Sequence, residues 1–286
     1  MKKLLLLTDF TENSAHAAVS ACNLCIKLNT DMLLYHSVQY MPIVPDFANG
    51  SAVTETNSII FNDCQEKLQQ ELSHLEEFIA EAGSTTHPKL SFLNGEGNLG
   101  DNVRTITGRE DIHMVVMGGR AGGSIDHLLT GSETTGVINH ALKPVLIVPF
   151  SAELNSLKKI VMATDFNAAD IEALDFLSDL AEDLNAQVEV VHVVKPGSVI
   201  TDLEPELLFR RHLNTLNPER VTYRQLTGTD IGKLLSQHCH NTHAGLLAVT
   251  HQRHGWLSRL LGRSESETLL GMGELAVLVF PPLERP

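Results

Sequence analysis

The chain has 286 residues, of which 43% are hydrophobic and 20% charged, and its net charge is −14 at neutral pH. That length holds two domains of ordinary size, and the balance is that of a globular protein with real cores. The acidic surplus excludes nucleic acid and an anionic membrane surface as default partners, because both need a basic face, but it leaves room for a local anion pocket.

In chain order, residues 3–8 are a short apolar run that reads as a buried strand. Residues 13–28 have helical spacing, with Ala15, Ala18, Val19, Cys22 and Ile26 on one side. Residues 31–37 are a second strand. Residues 41–56, with Pro42, Pro45 and Gly50, read as a long loop. Ile60, Cys64, Leu68, Leu72, Leu75 and Ile79 then recur every three or four residues, the mark of a long amphipathic helix. A third strand at 90–93, a helix at 99–107 and a fourth strand at 113–117 follow. After a glycine-rich loop come a helix near 133–141 and a last strand at 145–148, stopped by Pro149.

Beyond a linker near residues 150–157 the pattern starts again. Residues 2–36 align without a gap onto 158–192, and residues 95–149 onto 227–281. The matches include Thr8-Asp9-Phe10 on Thr164-Asp165-Phe166, Leu28-Asn29 on Leu184-Asn185, and His36 on His192. The first shift is 156 positions and the second 132, so the second copy is 24 residues shorter in its middle, where residues 199–216 replace the long loop and most of the long helix. Its strands are expected near 159–164, 187–193, 222–226, 245–250 and 276–280. Alternating strands and helices, twice over, predict an α/β fold of two tandem doubly wound five-stranded parallel-sheet domains, 1–149 and 157–286. The apolar last strands are edge candidates that need covering.

The opening MKKLLLLTDF has the basic start of a signal peptide. Four leucines are too few for the apolar core of one, and the duplicate LKKIVMATDF stands mid-chain. No apolar run reaches transmembrane length. Cys22, Cys25, Cys64 and Cys239 form no plausible disulfide framework, so a cytoplasmic location is expected. Cys22 and Cys25 make a C-x-x-C pair inside a predicted helix, where the duplicate has Ser178 and Ala181; core packing is the favoured reading over redox or zinc chemistry.

In an open parallel sheet, ligands sit at the carboxyl ends of the strands, where strand order reverses. If strands one and four are central neighbours, Asp9 and Gly118 both stand there. Gly118-Gly119-Arg120-Ala121-Gly122-Gly123-Ser124 follows strand four, and Gly131-Ser132 opens the next helix. Glycines let a ligand approach the backbone, a helix start offers unpaired N–H groups to phosphate, and Ser132 and Thr134 add hydroxyl donors. Asp9 suits an adenine amino group or a ribose rather than phosphate. It can equally cap the following helix, as can Asp165. His36 and His192 end the second strands and read as packing residues.

Thr8-Asp9, His36, Glu96-Gly97-Asn98, Val116-Met117-Gly118, Gly131-Ser132 and the closing Lys143-Pro144-Val145-Leu146-Ile147-Val148-Pro149 together resemble the universal stress protein family, each half nearly end to end. The resemblance implies a Rossmann-like fold of the adenine nucleotide alpha hydrolase type and a stress-response role. Nucleotide-binding members carry glycine, two residues, glycine, nine residues, glycine and serine or threonine; those positions here are Gly118, Ala121, Gly131 and Ser132. Ala121 departs from the pattern, and a left-handed alanine costs about 1–2 kcal/mol. By resemblance ATP, ADP or AMP, with or without Mg, binds at Thr8, Asp9, Ser37, Met117, Gly118, Arg120, Ala121, Gly131, Ser132 and Glu133. Asp9 and Ser37 would face the adenine and ribose side. Gly118, Arg120, Gly131, Ser132 and Glu133 would face the phosphates. No general base is evident, which leaves at most slow ATP hydrolysis or autophosphorylation at Ser132.

In the second copy the four positions are Thr250, Arg253, Arg263 and Ser264, so the phosphate cradle is lost while Asp165 stays. Arg253, Arg263, His251 and His254 can instead hold a different anion through side chains. His238, Cys239, His240 and His243 form a dense run, but neighbours on a helix point apart, which disfavours zinc. Two other functions stay open: a ligand-independent scaffold using the extra residues 41–65 to bind a protein partner, and a carrier of a phosphorylated metabolite or metal in the second copy. The assembly is expected to be a monomer with an internal pseudo-dimer, or a homodimer.

Overall fold

The computed structural model describes residues 2–38, 50–109, 111–119, 132–197, 203–251 and 275–282, with the backbone alone for 50–55. The first copy runs β1 (Lys3–Leu7), α1 (Glu12–Leu28), β2 (Asp31–Val38), α2 (Gly50–Glu81), β3 (Leu90–Glu96), α3 (Leu99–Thr107), β4 (Ile112–Gly118), α4 (Ser132–His140) and β5 (Val145–Val148). The second runs β6 (Lys159–Thr164), α5 (Ala168–Leu184), β7 (Gln187–Val194), α6 (Glu204–Leu213), β8 (Val221–Thr227), α7 (Ile231–Thr242), β9 (Leu246–Thr250) and β10 (Ala276–Phe280).

All ten strands form one sheet in the order β3-β2-β1-β4-β5-β10-β9-β6-β7-β8. Within each copy the pairing is parallel, and β1 lies between β2 and β4. Helices cover both faces, which is why β1 is leucine at four successive positions instead of alternating with polar residues. Leu4 and Leu6 join the core under α1 and α2, while Leu5 and Leu7 join the core under α3 and α4.

Local chemistry sets the helix ends. Thr11 caps α1 by accepting from the Ser14 amide, and Asn167 caps α5 with Asp170 completing a capping box. Asn29 and Asn185 end these helices in the left-handed region, at φ 49° in both copies, a conformation asparagine tolerates better than most residues. Phe10 and Phe166 also turn left-handed, at φ 61° and 64°, and swing the chain sharply off the first strand of each copy.

One expectation needs correction. Residues 50–56, read as loop, belong to α2, which starts at Gly50. Past Pro45 nothing in that stretch breaks a helix; residues 41–49 lie outside the described residues. The two copies also differ by one residue in the pairing register of their second and third strands. Ser37 stands opposite Gly95, whereas Val194, which matches Val38, stands opposite Thr227.

The copies meet where β5 and β10 pair antiparallel, with Leu146 opposite its own repeat Leu278. The seam is therefore isologous within one chain. His251 Nε2 meets Asn139 Oδ1 across it at 3.0 Å, and His16 Nε2 bonds to the Ala152 carbonyl of the linker at 2.8 Å. The linker is packed, with Ala152, Leu154 and Leu157 buried. Leu278→Glu would place an unpaired carboxylate at the seam's centre. We expect a loss of about 3–5 kcal/mol, measured by urea unfolding.

Candidate functional site

The order reverses between β1 and β4, and a cavity of about 300 Å³ opens at their carboxyl ends. Its walls come from the end of β1 (Leu7, Thr8, Asp9), the start of α1 (Thr11, Asn13, Ser14), the end of β2 (His36, Ser37), Leu99 on α3, the end of β4 (Met117, Gly118, Gly119) and the first turn of α4 (Glu133, Thr134). Three helices point their N-termini at this space, and each brings unpaired N–H groups and a positive dipole end.

Thr8, Asp9, Ser37, Met117, Gly118 and Glu133 thus converge as expected residues of one wall. Ser132 is exposed at the first position of α4, and the next two residues form the wall there. Arg120, Ala121 and Gly131 lie outside the described residues, as do Arg253, His254, Arg263 and Ser264. The sequence reading missed Thr11, Asn13 and Ser14 because it started the helix at Asn13. The Thr11-to-Ser14 spacing was the available sign of a cap.

The proposed capping role of Asp9 is corrected: Thr11 is the cap. Asp9 Oδ1 accepts from the Thr11 amide at 3.1 Å and the Thr11 hydroxyl at 2.6 Å, so it holds the capping residue in place. Burial draws the Asp9 carboxyl upward, but the bonds from Thr11, with Ser14, outweigh it and keep it below the usual carboxylate range. Asp9 is therefore an anion at neutral pH. It repels phosphate and accepts hydrogen bonds from neutral donors. Ser37 Oγ donates to the Gly97 carbonyl at 2.9 Å and accepts from Asn102 Nδ2 at 3.2 Å, which closes the β2–β3 corner. His36 Nδ1 bonds to the Thr8 carbonyl at 2.8 Å, and its ring packs on Phe10 at 4.5 Å. His192, Thr164 and Phe166 repeat the arrangement at 2.9 and 4.3 Å, which gives both histidines a strand-end role.

Gly118 must be glycine here. A Cβ on it would stand 2.8 Å from the backbone carbon and oxygen of Asn13. In the second copy Thr250 takes that place, and the neighbourhood is rebuilt around it. Its hydroxyl donates to Asp170 Oδ1 at 2.7 Å and accepts from Asn167 Nδ2 at 3.0 Å. Thr164 Oγ1 donates to Asp170 Oδ2 at 2.6 Å, and Asp170 is 0% exposed. Asp170 replaces Ser14. Burial pushes its carboxyl up, opposed by the Thr164 and Thr250 hydroxyls. A buried polar cluster thus stands in the second copy where the first has Gly118 and Ser14.

The histidine run of α7 diverges. His238 Nε2 contacts Glu189 Oε2 at 3.0 Å, Cys239 is buried, and His240 and His243 are exposed. Among the described residues no three His, Cys, Asp or Glu side chains are grouped to hold a metal ion. Burial pushes the Cys22, Cys25 and Cys239 thiols up to about 12, so none of them is a thiolate at neutral pH.

The sequence matches the profile of the Universal stress protein family twice, over residues 1–149 and 156–281. The chain belongs to the universal stress protein family. Among solved structures it is similar to a universal stress protein from Archaeoglobus fulgidus DSM 4304, at 16% identity and a TM-score of 0.70, with 98% of each chain covered. A putative universal stress protein from Pseudomonas aeruginosa UCBPP-PA14 is similar at 13% identity and a TM-score of 0.53, over 99% of this chain and 94% of that one. At such identities the likeness is one of fold. No curated protein matches the chain. No described helix is long and apolar enough to cross a membrane.

Proposed function

We propose that residues 1–149 form a unit that binds an adenine nucleotide, that residues 157–286 form a partner unit without such a site, and that occupancy is a stress signal in the cytoplasm. The observation that carries this reading is the contrast at one position. Gly118 lets the start of α1 pack directly on the end of β4, with both lining the switch-point cavity, whereas Thr250 and Asp170 occupy the matching place. The electrostatics give the orientation. Asp9, an anion with free acceptor capacity, suits the ribose or the base amino group, and the N-terminus of α4 suits the phosphates. Arg120, Ala121 and Gly131 would complete the phosphate side, with Mg beside it. The four unpaired, buried cysteines fit a reducing compartment.

Calorimetric titration of the nucleotide-stripped chain with Mg-ATP tests this. We expect one site per chain, and its loss in Gly131→Arg, which copies Arg263 into the first loop. An intact parent that takes up no nucleotide would sink the proposal and leave a ligand-independent scaffold.

A further inference from the structure

The hydroxyl at the end of the first strand of each copy is satisfied by a carboxylate, but the carboxylate comes from different places. In the second copy Thr164 donates to Asp170, six residues on, in the helix that follows directly. The first copy has Ser14 there, whose Oγ lies 3.3 Å from Thr8 Oγ1, and Thr8 finds its carboxylate in Glu71 on α2, 2.9 and 3.2 Å from its two oxygens and 63 positions away. Thr8 and its neighbour Asp9 both line the cavity. The first copy's site is therefore tied to α2, while the second copy's cluster closes on itself.

A second observation concerns how α2 sits. Under its middle, Asn94 Nδ2 donates weakly to the Phe61 carbonyl at 3.4 Å. Asn94 Oδ1, and Oδ1 of Asn57 one turn before Phe61, are buried without partners among the described residues. Glu71 is half-buried and faces the charge of Asp9; burial, then that charge, push its carboxyl up against the Thr8 bond. By contrast the apolar side of α2, with Leu68, Leu72, Leu75 and Ile79, is fully seated in the core. A helix firmly held along one stripe and incompletely satisfied at the sheet's carboxyl end is suited to a small change of seating.

Resting on the nucleotide reading above, we infer that Glu71 is a positioning residue through which occupancy of the cavity is passed to α2, making that helix the element a partner reads. A ligand that donates to Asp9 reduces the repulsion between Asp9 and Glu71, and Glu71 then holds Thr8 and draws α2 down. Linkage is reciprocal: loosening Glu71 must weaken the ligand by the factor with which the ligand tightens α2.

The test is hydrogen exchange of the full chain with and without saturating Mg-ATP, beside calorimetry, for the parent and Glu71→Gln. Glu71→Gln keeps an acceptor for Thr8 but removes the charge. We expect Mg-ATP to slow exchange of residues 66–79 at least threefold in the parent, with α5 and α6 unchanged. In Glu71→Gln this slowing should fall by more than half, and affinity should drop threefold to tenfold. A parent that binds Mg-ATP with no change in α2, or a variant that responds as the parent does, overturns the inference while sparing the nucleotide reading. Absence of binding heat in the parent overturns both.

Discussion

Gly118→Thr should abolish nucleotide binding while leaving the chain folded. The added Cβ stands 2.8 Å from the carbonyl of Asn13, and the obstacle is backbone rather than the end of a flexible side chain. The start of α1 must retreat, and it carries Thr11, Asn13 and Ser14 on the cavity wall. Overpacking of this kind costs about 1–3 kcal/mol in stability. For a threonine hydroxyl at this position the second copy supplies Asp170 as acceptor, whereas the first has only Ser14. We expect affinity for Mg-ATP to fall at least about 30-fold, or about 2 kcal/mol, by calorimetry. The reverse change, Thr250→Gly, should create no site, because Asp170 and Asn167 remain in place. Parent-like affinity in Gly118→Thr would mean that the ligand sits elsewhere.

Glu189→Gln should destabilise the second copy strongly. Glu189 is 4% exposed and is held by Lys159 at 2.6 Å, Arg224 at 2.5 Å and His238 at 3.0 Å. Burial raises its carboxyl, but the bonds from Lys159, Arg224 and His238, with the Lys159 charge, bring it down to about 2. The first copy has Leu33 at the matching position. Neutralising the buried carboxylate removes the anion that the exposed Arg224 and the partly exposed Lys159 both hold, at a cost of about 3 kcal/mol at neutral pH. In thermal unfolding that is roughly a 10 °C fall. The pH dependence follows from the lowered value. The parent's advantage is complete above the ordinary carboxylate pKa of 4.5 and disappears as pH falls toward 2, because the parent then becomes neutral too. The parent and Glu189→Gln unfolding curves should therefore converge in acid; a gap that stays constant down to pH 2 would rule out the charge as its origin.

The strands and most helices were legible because a sheet buried on both faces writes each strand as an unbroken apolar run, as in Leu4 to Leu7. The matched Asn29 and Asn185 were legible as a repeat, and their reason is a left-handed helix end. Residues 50–56 were misread because Gly50, after Pro42 and Pro45, looks like a breaker. The open cavity was legible in outline from Asp9 and Gly118. What closes its counterpart was not: Thr250 and Asp170 are 80 positions apart and meet because β6 and β9 pair. Glu71 was hidden for the same reason. Periodicity shows which side of α2 is apolar, not which polar residue on its flank reaches Thr8.

The β5–β10 seam makes the pairing of the two halves independent of dilution. A dimer of separate subunits joined this way would fall apart below its dissociation constant and would carry every substitution twice. Here mass action is replaced by a tether of a few packed linker residues, so the halves stay together even at a handful of molecules per cell. Each residue of the seam also occurs once, so a change such as threonine for glycine beside one crevice leaves the other crevice as it was. A single-chain seam thus permits what a symmetric dimer forbids: each crevice can change without the other.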